Sequence, residues 1–165
     1  MQRLWASLGS IVFLVLAPGT VAGLVPWWIA DWRLGSDDFL HRGMGTALIA
    51  LGLAPLLASF ARFAWQGLGT PAPVAPPQHL VVTGCYRHVR NPMYVAVATP
   101  LIGEALLFAS VGIFAFALIF LIATHLFVIF YEEPTLREKF GDRYMNYRAH
   151  VPRWWPLVTP WQGGG

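Results

Sequence analysis

The side chains with most capacity for chemistry gather in two stretches of an otherwise apolar chain. The first is basic and aromatic: His79, Tyr86, Arg87, His88, Arg90 and Asn91 lead into Pro92-Met93-Tyr94. The second is the acidic pair Glu132-Glu133. Carboxylates, guanidinium and amide donors and aromatic faces together can hold charged groups of either sign and stack on a ring. Two more polar groups sit inside apolar runs. Glu104 lies about 10 Å into a membrane span, counted from its nearest turn at about 1.5 Å per residue. An ionised carboxylate is expensive there. His125 falls seven residues before Glu132, on the same face of a straight helix. Each fits either a functional role or a hydrogen bond that locks helices together. Glu104, His125 and Glu133 are thus the candidates for taking a proton. No metal is expected, because His88 has no second ligand at zinc spacing. Cys85, the only cysteine, excludes an intramolecular disulfide and reads as a small loop residue.

The elements that must position these groups are membrane helices. The 165 residues are 56% hydrophobic and 12% charged, against about 45–50% and 25% for a soluble domain. A net charge of +3 is too small to point to nucleic acid. The first apolar run, residues 4–30, has Trp5 at one end and Trp27-Trp28 at the other, about 33 Å apart as a helix, matching a bilayer core of about 30 Å. A cleaved signal peptide ending near Thr20-Val21-Ala22 is the rival reading, but the apolar run continues from Leu24 to Ala30. Residues 44–65 form a second span, with Arg62 able to extend to the interface. Residues 67–92 are a loop rich in proline, with Thr83-Gly84 as a turn. From Met93 to Tyr131 only Glu104 is formally charged, and one helix there would be about 58 Å long. Two spans, residues 93–110 and 112–131, joined at Ser110-Val111-Gly112, are expected instead. In the tail, residues 132–165, Leu136, Phe140, Tyr144, Tyr147 and Val151 form a helical stripe, which predicts an amphipathic helix at the membrane surface or capping the bundle. Trp154, Trp155 and Trp161 read as interfacial anchors. The expected architecture is a single all-α membrane domain over residues 1–165, with four spans and a C-terminal amphipathic helix.

Four spans put the N-terminus, the loop at residues 67–92 and the tail on one side. That side carries nine of the eleven basic residues, and the other carries only Arg33 and Arg42. The positive-inside rule places the nine in the cytosol, with both termini, for a protein of the inner or plasma membrane. The hairpin returns Tyr131 to nearly the height of Tyr94, so the basic loop and the acidic pair are expected to meet at the cytosolic face.

The run His79-Leu80-Val81-Val82-Thr83-Gly84-Cys85-Tyr86, followed by Arg90-Asn91-Pro92-Met93-Tyr94, resembles the cofactor segment of the isoprenylcysteine carboxyl methyltransferase and phospholipid methyltransferase family. Glu132-Glu133-Pro134, Phe140-Gly141, Tyr144, Tyr147 and Val151-Pro152 are similar to that family's C-terminal pattern. The resemblance implies an enzyme that binds S-adenosyl-L-methionine through His79, Leu80, Val81, Val82, Tyr86, Arg90, Asn91, Pro92, Met93, Tyr94 and Glu132. It also implies methyl transfer to a lipid-like or small apolar acceptor arriving from the membrane. Two departures matter. Asn91 stands where many members have His. Val128 stands where the prenylcysteine enzyme has an Arg one turn before the acidic pair, which argues against a carboxylate acceptor. The alternatives are a sterol-type reductase using a nicotinamide cofactor, and a binding protein that kept the fold without turnover. The sequence leaves the oligomeric state open.

Overall fold

The computed structural model describes residues 16–31, 38–66 and 80–163, with Val12 and Gly35. Every regular element among them is helical: α1 (Thr20–Ile29), α2 (Phe39–Gln66), a 3-10 turn (Gly84–Arg87), α3 (Pro92–Leu107), α4 (Val111–Phe127), a π-turn (Val128–Glu132) and α5 (Glu133–His150). The start of the first expected span and the proline-rich stretch at residues 67–79 lie outside the described residues. Two compact units emerge, Met1–Pro71 with Met93–Ile122 and Ala72–Pro92 with Ala123–Gly165.

The first unit is held by apolar helix faces and close backbone approach. Leu56 and Phe60 of α2, Ala96, Val97 and Leu101 of α3 and Ala117 of α4 form its main core, with Val21 and Ala22 of α1 packed against it. Between α2 and α3 glycine is required. A Cβ at Gly103 would stand 2.6 Å from the Gly45 carbonyl oxygen, and one at Gly45 would stand 2.7 Å from that of Gly103. Gly52 makes room for the Pro100 ring in the same way. Pro55 interrupts the α2 ladder, and the Ser59 hydroxyl donates to its carbonyl at 2.7 Å.

The hairpin closes two residues earlier than Ser110-Val111-Gly112 suggests. Ser110 N–H donates to the Ala105 carbonyl at 3.0 Å and Ala109 N–H to the Leu106 carbonyl at 3.1 Å, which caps α3 as a Schellman motif. Ala109 occupies its left-handed position, at φ 48°. Ser110 then caps α4, its hydroxyl accepting Ile113 N–H at 3.3 Å. Serine is therefore a helix start here and not part of a loose turn.

α2 over Phe39–Phe60 and the run beginning with α4 are long and apolar enough to cross a membrane, while α1 and α3 are apolar but shorter. On α4, Ile113 and Ala117 are buried whereas Val111, Phe114, Leu118, Ile122 and Leu126 face outward. A helix apolar on its outward face as well as its inward one is built for lipid, not for water.

In the second unit the tail stripe becomes a core. Tyr144, Tyr147 and Val151 are buried with Leu136, Phe140, Leu80, Val82 and Trp161 around them. That stripe is turned onto Leu80 and Val82 of the loop that precedes Pro92. Gly141, at φ 52° and ψ −127°, kinks α5 into two parts.

Candidate functional site

Gly84 begins the second unit's polar centre, because its φ of 60° starts the 3-10 turn that carries Cys85, Tyr86 and Arg87. The chain beyond α5 then runs back along this loop as a strap. Arg90 N–H donates to the Pro152 carbonyl, Leu157 N–H to the His88 carbonyl and Trp161 N–H to the Arg87 carbonyl, each at 2.9 Å. Arg87 Nε returns a hydrogen bond to the Trp161 carbonyl at 2.6 Å, and His88 Nδ1 donates to the Leu157 carbonyl at 2.7 Å. The Tyr147 hydroxyl adds a bond to the Tyr86 carbonyl at 2.6 Å from beneath.

Glu133 is the hub. Its side chain is 8% exposed and accepts Arg153 Nε at 2.6 Å, Arg153 Nη2 at 3.0 Å and Arg90 Nη1 at 3.0 Å, with Arg148 Nη2 3.8 Å away. Arg90, 9% exposed, also donates to the Tyr144 hydroxyl at 3.2 Å. Burial alone would raise the Glu133 carboxyl, but the Arg153 hydrogen bond and the charges of Arg90, Arg153 and Arg148 outweigh it and hold the group below the usual carboxylate range. The phenols move the other way. Burial, then the negative charge of Glu132, raises Tyr86, and burial raises Tyr147, so both remain protonated donors.

The π-turn sets which glutamate points where. A π-turn holds one residue more than the α-turn it replaces, so positions beyond it fall about 100° from a straight α-helical count. His125 therefore aligns with Glu133, eight residues on, and not with Glu132. The strap fits this register. Arg153 grips Glu133, and the next residue, Trp154, donates its indole N–H to His125 Nδ1 at 3.0 Å. An indole only donates, so Nδ1 accepts and the imidazole proton sits on Nε2.

A sequence profile of the phospholipid methyltransferase family matches residues 40–143, well over half of the chain. The chain belongs to the phospholipid methyltransferase family. No curated protein and no solved structure matches it. Membership makes this a membrane methyltransferase and weighs against the reductase reading.

The methyltransferase's second unit brings together Leu80, Val81, Val82, Tyr86, Arg90, Asn91, Pro92, His125, Glu132 and Glu133. Met93, Tyr94 and Glu104 belong to the first unit, and His79 lies outside the described residues. Leu80 and Val82 pack on the tyrosine core. Asn91 is 7% exposed and donates its amide to the Arg153 carbonyl at 3.2 Å. Glu104 is 6% exposed, and its Oε2 meets no donor among the described residues. Sequence reasoning did not foresee Arg148 and Arg153 as partners of Glu133, or Trp154 as the partner of His125. The three lie beyond the matched family region, and the available signal was the Val151-Pro152 step that turns the chain back on the loop.

Proposed function

We propose that this methyltransferase family member uses S-adenosyl-L-methionine to methylate a lipid-like or small apolar acceptor at the cytosolic face of the inner or plasma membrane. On this reading the whole chain acts as one domain with four spans and both termini cytosolic. The nine-to-two bias of basic residues supports the orientation. The observation that carries the reading is the Arg90 to Glu133 ion pair at 3.0 Å, which seats the acidic pair on the Tyr86 loop within one unit. The donor set fits the cofactor: a carboxylate for its ammonium, an aromatic ring on the loop of the same unit and a guanidinium excess for its carboxylate. When bound, the cofactor supplies an electrophilic methyl on a sulfonium, which leaves as a thioether once an acceptor lone pair takes the methyl. The protein's share is alignment and exclusion of water.

Glu133, ionised and held by arginines, acts in this reading as a positioning residue that sets Arg90 and the loop, and not as a base. His125 offers Nε2–H as a donor. Glu104, in the first unit, has an oxygen unengaged by any described donor, and it is our candidate to receive a proton if the acceptor is an amine or a thiol. Val128, 1% exposed, gives a carboxylate acceptor no cation at that position. Calorimetry with S-adenosylhomocysteine on detergent-purified protein tests the reading. Binding is expected, and Glu132→Gln should weaken it by about 1.5–3 kcal/mol, the range for losing a charge-assisted hydrogen bond. No heat at millimolar ligand with folded protein refutes cofactor use, and unchanged affinity in the variant refutes the role of Glu132.

A further inference from the structure

The strap at residues 152–162 presents two faces, of which the proposed reaction uses one. Its inward groups are all engaged: the Pro152 carbonyl, Arg153, Trp154, Leu157 through its backbone, and Trp161. Trp161 also packs its ring on Tyr147 and His150. Of the three tryptophans that read as interfacial anchors, two are therefore taken up inside the unit. Trp155 is 82% exposed and Val158 is 97% exposed, the two most exposed large apolar side chains of the second unit. Trp154 is tied at 3.0 Å to His125, in the last turn of the lipid-facing helix α4. Leu126 and Phe130, on that turn and just past it, continue the outward apolar face at 47% and 76% exposure. Trp155 follows Trp154 directly, and tryptophan is favoured at membrane–water interfaces.

We propose that Trp155 and Val158 dock into the headgroup boundary of the bilayer, and that this contact holds the strap on loop residues 87–90. The occupant is the lipid surface, because the strap is tied through Trp154 to His125 at the end of the apolar helix α4, within a unit whose Leu126 and Phe130 are exposed as well. Three backbone hydrogen bonds, from Arg90, Leu157 and Trp161, transmit the contact to the loop. Seating in lipid thereby orders the segment that carries Tyr86 and Arg90. The inference rests on membrane association and not on the donor or acceptor, so it stands or falls separately from cofactor binding.

The test uses the full chain in nanodiscs of phosphatidylcholine with phosphatidylglycerol. A nitroxide is placed by Val158→Cys, or for comparison by Glu138→Cys on the exposed side of α5, each with Cys85→Ala. At position 158, collisions with oxygen should exceed those with an aqueous nickel chelate by about five-fold relative to position 138. Equal ratios at the two positions overturn the docking. In the second arm Cys85, half-buried in the 3-10 turn, reports on the loop. Trp155→Ser with Val158→Ser should raise its maleimide reaction rate about three-fold or more in nanodiscs at an unchanged melting temperature. An unchanged rate overturns the coupling to the loop. A melting temperature that falls as well makes the two residues part of the fold and likewise overturns it.

Discussion

Replacing Glu133 by Gln removes one negative charge from among three guanidinium groups while keeping size and one acceptor oxygen. The arginines differ in how they can respond. Arg148 and Arg153, with side chains 40% and 24% exposed, can recover water, whereas Arg90 at 9% cannot. Stranding one member of a buried pair costs about 3–5 kcal/mol. The lower end applies here, because the remaining amide oxygen can still accept one hydrogen bond and two of the three cations reach solvent. The expected loss is about 3 kcal/mol, measured by denaturant unfolding in detergent followed by circular dichroism. Pairing the change with Arg90→Met removes the stranded charge, so the double variant should be more stable than additivity predicts by about 2 kcal/mol. The pH dependence has a fixed sign. The folded-state carboxyl lies below its ordinary 4.5, so its stabilisation is complete above that value and is lost as pH falls through the folded value. The gap between parent and variant should therefore narrow in acid. A loss under about 1 kcal/mol, simple additivity with Arg90→Met, or a gap unchanged down to pH 3 refutes the assignment of Glu133 as the buried hub.

Gly103→Val should destabilise the first unit by about 2 kcal/mol or more, because the added Cβ meets the Gly45 carbonyl at 2.6 Å and the helices must part. An unchanged unfolding midpoint would show that α2 and α3 do not approach so closely. Gly141→Ala meets no neighbour within 4 Å, yet φ 52° with ψ −127° is a backbone state open essentially to glycine alone, so a loss of about 1–3 kcal/mol is expected. Wild-type stability in that variant would mean that α5 is unbroken. Ala109→Gly should act in the opposite sense and stabilise by about 0.5–1 kcal/mol, since alanine holds the left-handed position at φ 48°. A fall in melting temperature would contradict the Schellman closure of the hairpin.

What the sequence made legible was whatever local spacing encodes. The stripe from Leu136 to Val151 was visible because helical period alone puts those residues on one face, although what that face meets is decided by Leu80, Val82 and Trp161, far away in the chain. The hairpin between α3 and α4 was expected because no bilayer accommodates one such helix, but its position slipped by two residues. Gly112 looked like the turn residue, while alanine held the left-handed site and Ser110 served as a cap. The carboxylate pair was recognisable and its division of labour was not. Arg148 and Arg153 reach Glu133 from 15 and 20 residues away, across the break at Gly141, and no periodicity joins them. The Trp154 to His125 bond was hidden for the same reason.

The π-turn at Val128–Glu132 amounts to a one-residue insertion within an otherwise continuous helix. Taking out Ile129 or Phe130 would return the segment to α-helical geometry while leaving His125 and Glu133 on the same side, because the surplus residue is the one removed. Residue counting across this point is correspondingly treacherous. Any alignment of this chain with an unbroken helix, drawn without a gap here, pairs the wrong member of Glu132-Glu133 with whatever faces the strap, and a motif written with fixed spacing through the turn would transfer one glutamate's role to the other.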